Sequence, residues 1–129
     1  MSFKPLSTAV AFIALMLCVV LISAPQIIYW LFGLDGNDLG NFLANRAGVL
    51  CSGFAGLCYL ARNTANREVK RLVSASVGTT MGVMAVLGCY EFAVGNAGAG
   101  IFLAVAVEIV IAVLFARVWM QSRQSDSAT

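Results

Sequence analysis

Residues 6–24 read LSTAVAFIALMLCVVLISA, a run without one charged side chain. As a helix rising 1.5 Å per residue it is about 28 Å long, close to the thickness of a bilayer's hydrocarbon core. Three more segments are similarly apolar: residues 46–61 (RAGVLCSGFAGLCYLA), 72–90 (LVSASVGTTMGVMAVLGCY) and 101–118 (IFLAVAVEIVIAVLFARV). With 60% hydrophobic and only 11% charged residues, the chain lacks the polar side chains that an ordinary soluble domain needs for its exterior. The sequence therefore predicts an all-α fold, an integral membrane four-helix bundle in which four spans and short links nearly exhaust the 129 residues. A single transmembrane domain over 1–129 is expected.

The first span has a competing reading as a secretory signal, since Lys4 precedes it and Ser23-Ala24 resembles a cleavage region. Its apolar core is longer than a signal core usually is, and Pro25 would directly follow the cut, so a retained helix is expected. Residues 25–45 (PQIIYWLFGLDGNDLGNFLAN) read as an interfacial loop. Pro25 ends or kinks the first helix, Tyr29, Trp30 and Phe32 resemble an aromatic belt, and Asn37 or Asp38 is placed to cap the next helix. That second helix has an early start near Leu39 as an alternative, because residues 46–61 are slightly short for a crossing. Residues 62–71 (RNTANREVKR) are too polar for hydrocarbon, the glycine-rich residues 95–100 link the third and fourth spans, and a polar tail over 120–129 is expected to lack fixed structure.

Orientation follows from the basic residues. Lys4, Arg62, Arg67, Lys70, Arg71, Arg117 and Arg123 fall on one side and Arg46 alone on the other, which also collects Asp35, Asp38 and Glu91. Positive charge near span ends stays in the cytoplasm, so both N and C termini and the 62–71 loop are expected to be cytoplasmic.

The chain has no histidine, which removes the commonest general base, the usual zinc ligand and the axial ligand of most haems. No glycine-rich phosphate-binding loop of the Walker type occurs in the sequence. No metal, cofactor or nucleic-acid partner is expected, because the net charge of +2 is accounted for by topology. Cys18, Cys51, Cys58 and Cys89 all fall within the spans, where a free cysteine behaves as a small hydrophobe. A Cys51–Cys89 disulfide is the sharper expectation, since both lie toward the same side of the bilayer.

Glu108 is the candidate functional residue. It stands seven positions into the last span, about 10 Å below its boundary, where an ionised carboxylate is costly and usually faces protein or water. Ala104, Ala112 and Ala116 share its face and leave a shallow groove for another helix. Thr79 and Thr80 are candidate hydrogen-bond partners for it, while Arg46 lies nearer Glu91. A protonated carboxyl bonded to a neighbouring helix is the plain structural reading; a proton site or a ligand contact is the functional one. Two further ladders, Gly48, Ser52 and Gly56 in the second span and Ser74, Gly78 and Gly82 in the third, read as helix-packing seams.

The PQIIYWLFG stretch at 25–33, the Asn45-Arg46-Ala47-Gly48 start of the second span, its close at Leu60-Ala61-Arg62 and the intramembrane Glu108 together resemble domain-of-unknown-function family 4345, a family of small four-helix membrane proteins. The general shape is also similar to DoxX-like four-helix proteins. The resemblance implies an uncharacterised protein of the bacterial cytoplasmic (inner) membrane, with Arg46 and Glu108 as positions of interest, and it brings no activity with it. The residues support a non-enzymatic structural, accessory or apolar-ligand-binding membrane protein whose partners are the lipid bilayer, an apolar small molecule, another membrane protein or further copies of itself. The alternative is a small proton- or cation-coupled transporter using Glu108. An enzyme acting within the membrane ranks last, since no nucleophile and base are paired.

Overall fold

The computed structural model describes residues 2–124 and is all-helical. Five helices follow in order: α1 (Phe3–Ser23), α2 (Pro25–Phe32), α3 (Asp38–Ala61), α4 (Arg67–Ala93) and α5 (Ile101–Gln124). Three stretches are long and apolar enough to cross a membrane: Phe3–Ser23, Arg67–Ala93 and Ile101–Ser122. α3 is as long, at 24 residues, but carries Asp38, Asn41, Asn45 and Arg46 in its first half.

Each boundary has a local cause. Ala24 leaves helical geometry at φ −149° and ψ 59°, and Pro25, which has no N–H to offer, opens α2 as its first residue. α2 stops at Gly33 (φ 66°), where Leu34 N–H donates to Tyr29 C=O at 2.8 Å and Gly33 N–H to Trp30 C=O at 3.3 Å. This paired arrangement around a left-handed glycine satisfies carbonyls that a helix end leaves orphaned. The same device ends α4: Gly95 (φ 81°) donates to Phe92 C=O at 3.1 Å and Asn96 to Glu91 C=O at 2.9 Å. At the opposite helix ends, Asn37 Oδ1 accepts from Gly40 N–H at 2.7 Å and Asn66 Oδ1 from Glu68 N–H at 2.8 Å, capping α3 and α4.

Three expectations are corrected here. The 25–45 segment is largely helical, comprising α2 and the first turns of α3, because Asn37 caps α3 well before the apolar run begins. The polar 62–71 loop shortens to residues 62–66, since Asn66 caps a helix that already includes Arg67, Glu68, Lys70 and Arg71. Residues 120–124 of the supposed tail continue α5, and 125–129 lie outside the described residues.

Packing joins the helices in two antiparallel pairs, α1 with α3 and α4 with α5, and the pairs touch one another more sparsely. Both pairs contribute to one core at the end that bears Lys4, Arg62, Arg67, Lys70 and Arg71, hereafter the basic end. Leu6 and Val10 of α1, Cys58 of α3, Val77 of α4 and Phe115 of α5 meet there, with Phe3 set edge-on to Phe115 at a centroid distance of 6.4 Å. Ser7 is buried in the same region and its hydroxyl donates to Cys58 C=O at 2.6 Å, so a polar side chain is fully satisfied between α1 and α3.

At the opposite, acidic end the contact is between main chains. Gly98 N–H donates to Phe32 C=O at 2.5 Å, docking the α4–α5 loop onto the last carbonyl of α2. A Cβ at Gly98 would sit 3.1 Å from Phe32 O, and one at Gly100 would overlap Leu31 O, so the approach depends on glycine at these two positions.

Candidate functional site

Ile111, Phe115 and Val118 are buried in α5 at spacings of four and three, which mark one face of a helix, and Val105 is buried beside that face. Glu108 falls on that face, half-buried, three residues before Ile111 and therefore just outside the shared core. Ala104 and Ala112 flank it one turn either way and are half-buried too, whereas Ala116 is exposed. Among the described residues no hydrogen bond or ion pair engages the Glu108 carboxylate.

The register of α4 against α5 explains where its expected partners lie. A Cβ at Gly78 would meet Phe115 Cβ at 3.5 Å and Ala112 O at 3.6 Å, and one at Gly88 would meet Val105 Cγ2 at 2.6 Å. Glu108 is thus level with the α4 residues midway between those glycines, about one turn from Thr79 and Thr80. Both threonines are exposed, and neither hydroxyl reaches Glu108.

Arg46 and Glu91 also remain apart. Arg46 is exposed with its guanidinium 5.6 Å from the Phe42 ring centroid, one turn back on α3. Glu91 instead accepts from Asn96 Nδ2 at 2.7 Å, reinforcing the backbone bond that ends α4. The four cysteines are all free, as the reading of them as small packing residues has it, and the alternative Cys51–Cys89 disulfide is absent. Cys51 lies near Cys18 in the α1/α3 pair, while Cys89 is on the exposed face of α4.

The small-residue ladders divide into used and unused rungs. Gly48 is buried against α1, where a Cβ would come within 2.8 Å of Ile22 Cγ1 and 3.2 Å of Cys18 O. Ser74 and Gly78 pack in the α4/α5 pair. Gly56 and Gly82, in contrast, would have nothing within 4 Å of a methyl group placed on them, and Ser52 has its hydroxyl turned back to Val49 C=O at 2.7 Å.

Gly56 and Ser52 line an open groove on the α1/α3 pair, about 390 Å³ in volume. Its other walls are Ala11, Phe12, Leu15 and Ala55, with Thr8 and Tyr59 supplying hydroxyls. Among the described residues no three of His, Cys, Asp and Glu gather as metal ligands would. Spacing along α3 locates the small residues of this groove but reads them as a closed seam; Phe12 and Tyr59, which form its sides, carry no local signal that marks them. No protein-family model, no curated protein and no solved structure matches this chain.

Proposed function

We propose that the protein is a non-enzymatic accessory protein of the bacterial cytoplasmic membrane that holds an apolar small molecule against the α1/α3 pair. The observation that carries this reading is the open groove between Phe12 and Tyr59. Its volume of about 390 Å³ lies in the range of small-molecule sites, which are mostly apolar with a few polar groups that fix orientation. Glycine inside a helix costs roughly 0.5–1 kcal/mol relative to alanine, and at Gly56 no neighbour within the chain returns that cost through close packing. A bound molecule would.

Gly56→Leu projects a side chain into the groove from a position where a Cβ meets nothing within 4 Å. It should leave the protein no less stable than the parent, with a gain of up to about 1 kcal/mol from removing a helical glycine, while an apolar molecule that copurifies from native membranes disappears from the mass spectrum of the variant. A molecule retained equally by both proteins would sink the reading, and so would a parent that carries nothing.

In this reading α3 crosses the bilayer with α1, α4 and α5, giving four crossings with both termini cytoplasmic. The support is the clustering of Lys4, Arg62, Arg67, Lys70 and Arg71 at one end and of Asp35, Asp38 and Glu91 at the other. Single cysteines test it in a background without the native four. Thr64→Cys should react with an impermeant maleimide only after cells are permeabilised, and Asn96→Cys should react in intact cells; the reverse pattern would invert the topology.

A second reading rests on Glu108, which is half-buried in an apolar helix and has no partner among the described residues. A carboxyl so placed suits a proton- or cation-coupled transporter. In proteoliposomes that reading expects Glu108→Gln to abolish proton flux, and equal flux in both proteins would remove it.

A further inference from the structure

A second trough, chemically unlike the first, runs along the outside of the α4/α5 pair. Near the basic end Glu68, Arg71, Leu72, Ala75 and Trp119 line a recess of about 290 Å³. Beyond it a space of about 460 Å³ is lined by Ala75 and Trp119 again, then by Gly78, Thr79, Ala112 and Ala116. Because Ala75 and Trp119 belong to both, the two spaces are one continuous track.

The track is amphipathic along its length. Its mouth holds the guanidinium of Arg71 in the second turn of α4, with Arg67 and Lys70 on the same end of that helix. Among the described residues Glu68 offsets Arg71 within the lining, and Arg67 and Lys70 beside them leave this end of α4 with a net positive charge. Trp119 stands where charge gives way to apolar surface, the depth at which indole rings favour a membrane interface. Below it the walls are smooth, because alanine and glycine leave the two backbones almost bare.

From Arg71 to Thr79 is eight residues, about 12 Å along the helix axis. Ser74 forms part of the floor; it is wholly buried, and its Oγ has no hydrogen-bond partner among the described residues. An orphaned buried hydroxyl is uncommon and marks a position that a bound polar group can complete. The α1/α3 groove differs in having no charged residue in its lining.

The geometry points to a binding site for one anionic phospholipid, its phosphate at Arg71 and an acyl chain laid along Ala75, Gly78 and Ala112. Arginine suits the headgroup because its planar fork donates two parallel hydrogen bonds to a phosphate. The apolar track suits the chain because Ala75, Gly78, Ala112 and Ala116 leave room along it beside Val113. The occupant is independent of the α1/α3 groove and of what that groove holds.

Trp119 makes the site observable. The chain has two tryptophans, and Trp30 is 81% exposed at the far end of the bundle, so Trp30→Phe leaves Trp119 as the sole indole at little structural cost. This full-length variant is reconstituted into phosphatidylcholine bilayers with a minor fraction of phosphatidylglycerol, the bromine quencher being carried on the acyl chains of one lipid or the other.

Brominated phosphatidylglycerol should quench Trp119 as though enriched roughly fivefold over its bulk fraction, the equivalent of the ~1 kcal/mol that a basic side chain contributes beside anionic lipid. Arg71→Gln should return quenching to the bulk value. Lys70→Gln, the same charge change outside the lining, should retain most of the enrichment. Ala75→Leu, on the exposed side, fills the track without entering the core and should abolish the preference while circular dichroism stays unchanged. Enrichment absent from the parent, equal loss with Lys70→Gln and Arg71→Gln, or full enrichment in Ala75→Leu would each overturn the site. So would loss of quenching by both lipids together with cross-linking of copies through Ala116→Cys, which would place a second chain in the track.

Discussion

Gly100→Ala lowers the stability of the protein by about 2–3 kcal/mol, although it adds a single methyl group. The reason is the direction in which that methyl points. A Cβ built on Gly100 overlaps the carbonyl oxygen of Leu31, an atom fixed by the backbone of α2 that cannot rotate aside as a flexible side chain would. The α4–α5 loop must therefore withdraw from α2, and the 2.5 Å bond from Gly98 N–H to Phe32 C=O goes with it. Gly53→Ala is the matched control. It lies within α3 with open space around its methyl position, so alanine there should stabilise by about 0.5–1 kcal/mol. Thermal unfolding in detergent, followed by circular dichroism, compares the two directly. A Gly100→Ala protein that melts with the parent would show that the acidic end is not held through this contact.

Phe115→Ala removes the largest fully buried side chain and should cost about 3 kcal/mol. In lipid the loss does not come from exposing apolar surface to water. It comes from dispersion contacts forfeited around an unfilled space between α4 and α5, and from the edge-on partner Phe3. Leu60→Ala provides the contrast, since Leu60 is 81% exposed and its removal leaves no void. The double variant Phe3→Ala, Phe115→Ala should be less damaging than the sum by about 0.5–1.5 kcal/mol, the usual strength of an aromatic pair. Additive losses would mean that the two rings do not support each other.

Much of this architecture is written locally. Pro25 marks the break between α1 and α2, Asn37 caps α3, and the interior face of α5 follows from residues spaced three and four apart, which also places Glu108 toward the bundle. Two kinds of feature are less legible. Helix ends that carry polar side chains look like loops when apolar length is the criterion, which is why the first turns of α3 and of α4 escape it. Yet Asn66 followed by Glu68 is a readable capping signal. Contacts between distant segments leave no such trace. Nothing near Gly98 or Gly100 announces Phe32 or Leu31, and nothing near Ser52 announces that it shares an open groove with Phe12 of α1. Glu108 illustrates the same limit: its depth and face are readable, whereas its distance from Thr79 and Thr80 depends on the register of α4 against α5, which Gly78 and Gly88 set.

The sparse contact between the α1/α3 and α4/α5 pairs has a consequence for how the molecule is put together. Each pair can form as its own hairpin, and residues 62–66 then act as a tether that keeps the halves at high effective concentration rather than as a strut that dictates their shape. Joining them becomes an intramolecular docking reaction, sealed by side chains at one rim and by peptide groups at the other.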